Sequence, residues 1–129
     1  MSTIKTFEEL DAWKVSRELC NKIGGLIDGV CFGKNFRLIG QIEGSSGSIM
    51  DNIAEGFERG TRLEFIQFLG YSKGSCGETR SQLYRALDYQ YITQDEFDAA
   101  YKMTLEESKM LKSFIQYLKD SDLKGNRFK

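Results

Sequence analysis

The stretch Gln41–Leu69, QIEGSSGSIMDNIAEGFERGTRLEFIQFL, reads as one amphipathic helix, a one-turn break and the start of a second helix. Ile42, Ile49, Ile53 and Phe57 recur at the spacing of a single helical face. Gln41, Ser45, Ser48, Asn52 and Glu55 fall along one flank of that apolar stripe. Thr61 followed by Glu64 is a capping box, in which the hydroxyl and the carboxylate satisfy free backbone N–H groups at a helix start. The segment therefore specifies a helical hairpin with a polar edge, and it contains no recognisable catalytic set.

Helical periodicity continues on both sides of this hairpin. A first helix is predicted over about 7–29, with Ala12, Trp13, Ser16, Leu19, Cys20, Ile23, Leu26 and Ile27 on its apolar face. A short linker with two glycines leads to the second helix, over about 35–58. The third is predicted over about 62–89, turning Phe65, Phe68, Leu69, Ser72, Cys76, Thr79, Leu83, Ala86 and Leu87 inward. The fourth spans about 94–120 behind a second capping box, Thr93 with Glu96. Its inward set is Phe97, Ala100, Tyr101, Thr104, Ser108, Leu111, Ile115 and Leu118. Helices of this size are about 35–40 Å long, and short connections make sequential helices antiparallel neighbours. The expected fold is all-α: one domain over 1–129, an antiparallel up-and-down four-helix bundle with a short C-terminal tail. Period-two alternation of useful length is absent, which removes the strand-based alternative.

Composition agrees. Proline is absent, as long uninterrupted helices require. Histidine is also absent, which removes the commonest general base near neutral pH and the commonest metal ligand. Cys20, Cys31 and Cys76 lack CxxC spacing and read as reduced thiols. With no secretory leader and no long apolar run, a soluble, cytoplasmic protein without a membrane partner is expected. The formal net charge is −1, from 18 basic and 19 acidic residues, which is not the footprint of a strong nucleic-acid binder. The tail Asp122–Lys129 is mildly basic through Lys124, Arg127 and Lys129.

Glycines stand on the outer side of the helices. Gly40, Gly44 and Gly47 lie opposite the apolar stripe of the second helix, and Gly70, Gly74 and Gly77 opposite that of the third. Each costs roughly 0.5–1 kcal/mol relative to alanine inside a helix. Either small residues are simply tolerated there, or another backbone approaches. A second apolar row on the fourth helix, Met103, Met110, Phe114 and Tyr117, favours approach by another copy.

The polar flank of the second helix has a counterpart of the same hand on the third: Glu64, Ser75, Glu78 and Gln82. A turn near Gly60 would bring Gln41 towards Gln82, and Ser45 towards Ser75 and Glu78. Such a seam is either a buried hydrogen-bond network that fixes register, or a pore or ligand surface lined by Asn52, Glu55 and Glu78. A ferritin-like di-metal site needs Glu-x-x-His pairs and is excluded; only an all-oxygen site remains conceivable. The carboxylates have no nucleophile or oxyanion device beside them, and the helical glycines lack the ending of a phosphate loop. No cofactor and no enzymatic activity are expected.

Gln41-Ile42, Ser48-Ile49, Asn52-Ile53-Ala54-Glu55-Gly56, Thr61, Glu64-Phe65, Phe68-Leu69, Gly74-Ser75, Glu78, Gln82-Leu83 and Ala86, with Phe7, Leu10 and Trp13 ahead of them, give a pattern that resembles a known family. It is the four-helix-bundle family of proteins encoded in intervening sequences of bacterial 23S ribosomal RNA genes. The resemblance implies an up-and-down four-helix protomer and a ring-like homo-oligomer, a pentamer, with no enzymatic activity. One branch is similar to accessory proteins of diversity-generating retroelements, which bind reverse transcriptase and RNA. Relatives often carry arginines just after the Gln-Ile pair, where this chain has Glu43 and Gly44. That departure weakens an expectation of RNA or DNA binding. The basic candidates are Lys34 and Arg37 at the start of the second helix, and Arg59 and Arg62 around the following turn. The expected role is a non-enzymatic homo-oligomeric scaffold or binding module, with weak non-specific nucleic-acid binding or docking to a nucleic-acid enzyme. The alternative is a structural protein-partner adaptor with no nucleic-acid role.

Overall fold

The computed structural model describes residues 4–121, and the basic tail considered above lies outside them. Among the described residues there are four α-helices and no strand. They are α1 (Asp11–Ile27), α2 (Phe36–Glu58), α3 (Arg62–Asp88) and α4 (Gln94–Ser121). Packing runs in a cycle, α1 on α2, α2 on α3, α3 on α4 and α4 back on α1. Leu19, Ile23, Leu38, Ile42, Ile49, Ile53, Phe65, Leu69, Leu83, Leu111 and Leu118 fill the interior and are essentially solvent-free. No helix among the described residues is long and apolar enough to cross a membrane.

The ends of the helices follow from local chemistry. Asn35 Oδ1 accepts the Leu38 N–H at 3.0 Å and caps α2. Thr61 Oγ1 accepts the Glu64 N–H at 3.2 Å and caps α3. Thr93 and Glu96 form the reciprocal pair in full, with bonds of 3.1 Å and 2.8 Å. Gly60, at φ +85°, makes the tight corner between α2 and α3. At the end of α3 the left-handed position is held by Gln90, at φ +63°, and Tyr91 N–H reaches back to the Ala86 carbonyl.

Two expectations need correction. The first helix does not begin at Phe7. Phe7–Glu9 is a single 3₁₀ turn, Leu10 is extended at ψ 128°, and α1 starts at Asp11. The cause is a third Thr-x-x-Glu pair. Glu9 accepts the backbone N–H groups of Lys5 and Thr6, which closes the turn early and holds its carboxyl below the usual range. Leu10 then turns its side chain into the core. The second correction is in α4, where Glu107, not Ser108, occupies the fully buried position between Thr104 and Leu111.

Candidate functional site: the α2–α3 seam and its outer face

The flanks of α2 and α3 meet and form a continuous polar seam. Ser45 Oγ donates to Gln82 Oε1 at 2.6 Å and lies 2.8 Å from Thr79 Oγ1. Ser75 Oγ donates to Ser48 Oγ at 3.0 Å, and Asn52 Nδ2 donates to Ser48 Oγ and to its carbonyl, both at 2.8 Å. Ser72 Oγ, deeper in the core, donates to the Ile49 carbonyl at 2.7 Å. At the far end Arg85 Nη1 donates to Gln41 Oε1 at 3.0 Å. Ser45, Thr79 and Gln82 are buried, so these bonds satisfy groups that water does not reach.

The register differs from expectation by about one turn. Gln41 meets Arg85, not Gln82, and Ser45 meets Thr79 and Gln82, not Ser75 and Glu78. Gly56 sets this register. A β-carbon there would lie 2.6 Å from Phe68 Cβ and 3.1 Å from Phe65 Cδ1, so the bare backbone admits the two aromatics at the corner. Glu78 is exposed, outside the network. On an ideal helix it stands about 60° away from Ser75, on the solvent side. Glu55 and Glu64 are also outside. Both grip Arg59, at 2.9 Å and 3.3 Å, and its guanidinium lies 4.9 Å from the Phe68 ring. The expected polar set thus divides into a buried network and an exposed ionic clamp at the turn.

The outer glycines face open space. Nothing lies within 4 Å of a β-carbon built at Gly40, Gly44, Gly47, Gly70 or Gly74, and at Gly77 only the tip of Arg80 approaches, at 3.9 Å. Packing within the chain therefore does not account for them. The second row of α4 is partly engaged: Met103, Met110 and Phe114 are half-buried, and the Phe114 ring sits 5.2 Å from Phe65. Tyr117 stays 43% exposed. Met110 and Phe114 also line a shallow groove of about 380 Å³ with Ile4, Leu10 and Ala12.

The basic candidates do not form one surface. Lys34 and Arg37 are exposed, beside Phe36, which is 74% exposed. Arg59 is held in its clamp, and Arg62 is 9% exposed. Arg37 stands at the start of α2 and Arg59 just past its end, about 33 Å apart along the helix axis. Among the described residues no group of three or more His, Cys, Asp and Glu is placed to hold a metal ion.

Glu107 holds the buried position of α4 that the sequence reading gives to its neighbour Ser108. The spacing Ala100, Thr104, Glu107, Leu111 is regular for a buried face.

The model of the 23S rRNA-intervening sequence protein family matches residues 8–113. A solved structure from Bacteroides thetaiotaomicron, a protein with unknown function from the S23 ribosomal protein family, is similar at 28% identity and TM-score 0.76. That likeness covers 81% of this chain and 97% of the other. No curated protein matches. With 106 consecutive residues matched and the same fold in a relative, the chain belongs to the 23S rRNA-intervening sequence protein family.

Proposed function

We propose that the protein is a non-enzymatic, homo-oligomeric scaffold in the cytoplasm, built from an antiparallel up-and-down four-helix protomer. Pairs across the seam support the protomer topology, because partners on α3 descend from Arg85 to Ser72 as those on α2 rise from Gln41 to Ile49. The pairs Tyr84–Phe97 and Phe65–Phe114 do the same for α3 and α4. The observation that carries the assembly is the outer face of α2 and α3, where five of the six glycines have no other atom of the protomer within 4 Å of an added β-carbon. Backbone left bare in this way admits close approach by another helix, and a pentameric ring is the arrangement family resemblance implies. Light scattering coupled to size exclusion tests it. The expected mass is about five times 14.8 kDa, and a monomer at micromolar concentration overturns the reading.

In this reading any contact with RNA or DNA is weak and non-specific and runs through Lys34 and Arg37. A second reading, an adaptor for a protein partner with no nucleic-acid role, is favoured by the engagement of Arg59 and the burial of Arg62. Salt-dependent binding of labelled RNA and DNA separates the two.

A further inference from the structure

Glu107 lies on the core-facing row of α4, fully shielded from solvent, and neither carboxyl oxygen has a hydrogen-bond partner among the described residues. No cation among the described residues lies within ion-pair distance of it. The buried residues of α1 and of α2 include no ionisable group. Their half-buried positions add only the Cys20 thiol. From α3 comes Cys76, whose thiol donates to the Thr104 carbonyl at 3.2 Å, one turn before Glu107. Lys73 and Arg80 flank Cys76 and act on that thiol; Arg80 Nη1 is itself buried without a hydrogen-bond partner, but neither cation makes an ion pair with Glu107. Arg62, the other buried charged residue described, is 14 positions before Cys76 on α3, about 21 Å along the axis. On α4 itself the neighbouring Glu106 adds repulsion.

A carboxylate in such a place must be hydrated or be neutral. Burial first, and Glu106 second, push the Glu107 carboxyl up to about 8. The neutral acid fits the closed core, whereas the anion needs water, which the closed core does not admit.

We propose that Glu107 is a proton-operated latch: as the neutral acid it lets α4 close on α3, and loss of its proton to solvent releases α4 beside Cys76. In the released form the carboxylate is hydrated and titrates near 4.5. The ratio of released to closed form therefore rises up to tenfold per pH unit between about 4.5 and about 8, then levels off.

Cys76 supplies the readout. In the full-length chain carrying Cys20→Ser and Cys31→Ser, the rate of Cys76 modification by a neutral maleimide is compared at pH 6 and pH 8. The same comparison is made after Glu107→Gln. Thiol ionisation does not cancel fully, because burial first and the Glu107 charge second raise the Cys76 thiol; removing that charge in Glu107→Gln favours the thiolate there and so works against the expected difference. The rate is expected to rise at least tenfold more with glutamate than with glutamine at position 107. Equal rises overturn the proposal. If Glu107→Gln does not fold, Glu107→Met takes its place. Independently, the urea midpoint of the unmodified protein is expected to fall between pH 5 and pH 8, and a flat or rising midpoint also overturns the latch.

Discussion

Gly56 and Gln90 are two positions where a single side chain works against, or for, the backbone beneath it. At Gly56 an added methyl meets Phe68 Cβ at 2.6 Å, an atom fixed to its own helix. Gly56→Ala is therefore expected to destabilise the protein by about 1–3 kcal/mol, the usual cost of overpacking, read from urea denaturation. At Gln90 the sign reverses. Its φ of +63° is a left-handed conformation at a helix end, where glycine relieves the β-carbon clash at some cost in unfolded-state entropy. Gln90→Gly should raise stability by roughly 0.5 kcal/mol in the same assay. Glu107 adds a pH dependence whose sign can be worked out. Its folded value of about 8 lies above the ordinary 4.5, so between those values the folded state holds a proton that the unfolded state has released. Stability due to this group is greatest below pH 4.5 and falls by about 1.4 kcal/mol per unit as pH rises towards 8, then flattens. Subtracting the profile of Glu107→Gln from that of the wild type isolates this slope, and a difference that does not change with pH would count against it.

At the scale of the helix, the α2–α3 seam separates residues that share a flank in sequence into two classes. Gln82→Leu removes one bond from the Ser45 hydroxyl, which keeps Thr79 and the Ile42 carbonyl as partners, and is expected to cost about 1 kcal/mol. Glu78→Leu, on exposed surface, should change stability by less than about 0.5 kcal/mol. Equilibrium unfolding of the two variants side by side checks the division, and equal losses would erase it. The same seam shows what was legible beforehand. The stripe of Ile42, Ile49 and Ile53 and the caps at Thr61 and Thr93 are short-range signals, and periodicity alone reveals them. Ser45, Asn52 and Gln82 belong to the polar flanks for the same reason. Their pairing was not legible, because register depends on how closely two helices approach, and that distance is fixed by the contact of Gly56 with two aromatics on the next helix. The break at Leu10 escaped because Thr6 and Glu9 make one more start signal, ahead of a sequence that remains helical in pattern. Glu107 and Ser108 are one step apart on the helix, and periodicity alone does not decide which of two neighbours at the edge of the stripe faces the core; the structure places Glu107 there.

For the whole molecule, the proposed assembly rests on the outer surface rather than the core. Gly44→Leu with Gly74→Leu fills space that the protomer leaves open, so circular dichroism should be largely unchanged. The mass by light scattering should nevertheless fall towards that of a monomer. An unchanged assembly would place the contact elsewhere. Nucleic-acid binding, if it rests on phosphate contacts from Lys34 and Arg37, is expected to be measurable by fluorescence anisotropy near about 50 mM salt and nearly lost at about 200 mM. Tight, salt-resistant binding to one sequence would require a surface other than this one. The loop between α1 and α2 has a different use. Phe32 is buried, with its ring 5.2 Å from Tyr91, and Asn35 Nδ2 donates to the Tyr91 hydroxyl at 3.1 Å. The far side of the loop is thus pinned, while Val30 and Cys31 remain exposed. Closure entropy grows only slowly with length, so a peptide tag spliced between Val30 and Cys31 would have its strain stopped at the Phe32 anchor. The exposed thiol of Cys31 is likewise a natural attachment point for a fluorophore, one that would report on assembly from outside the four-helix core.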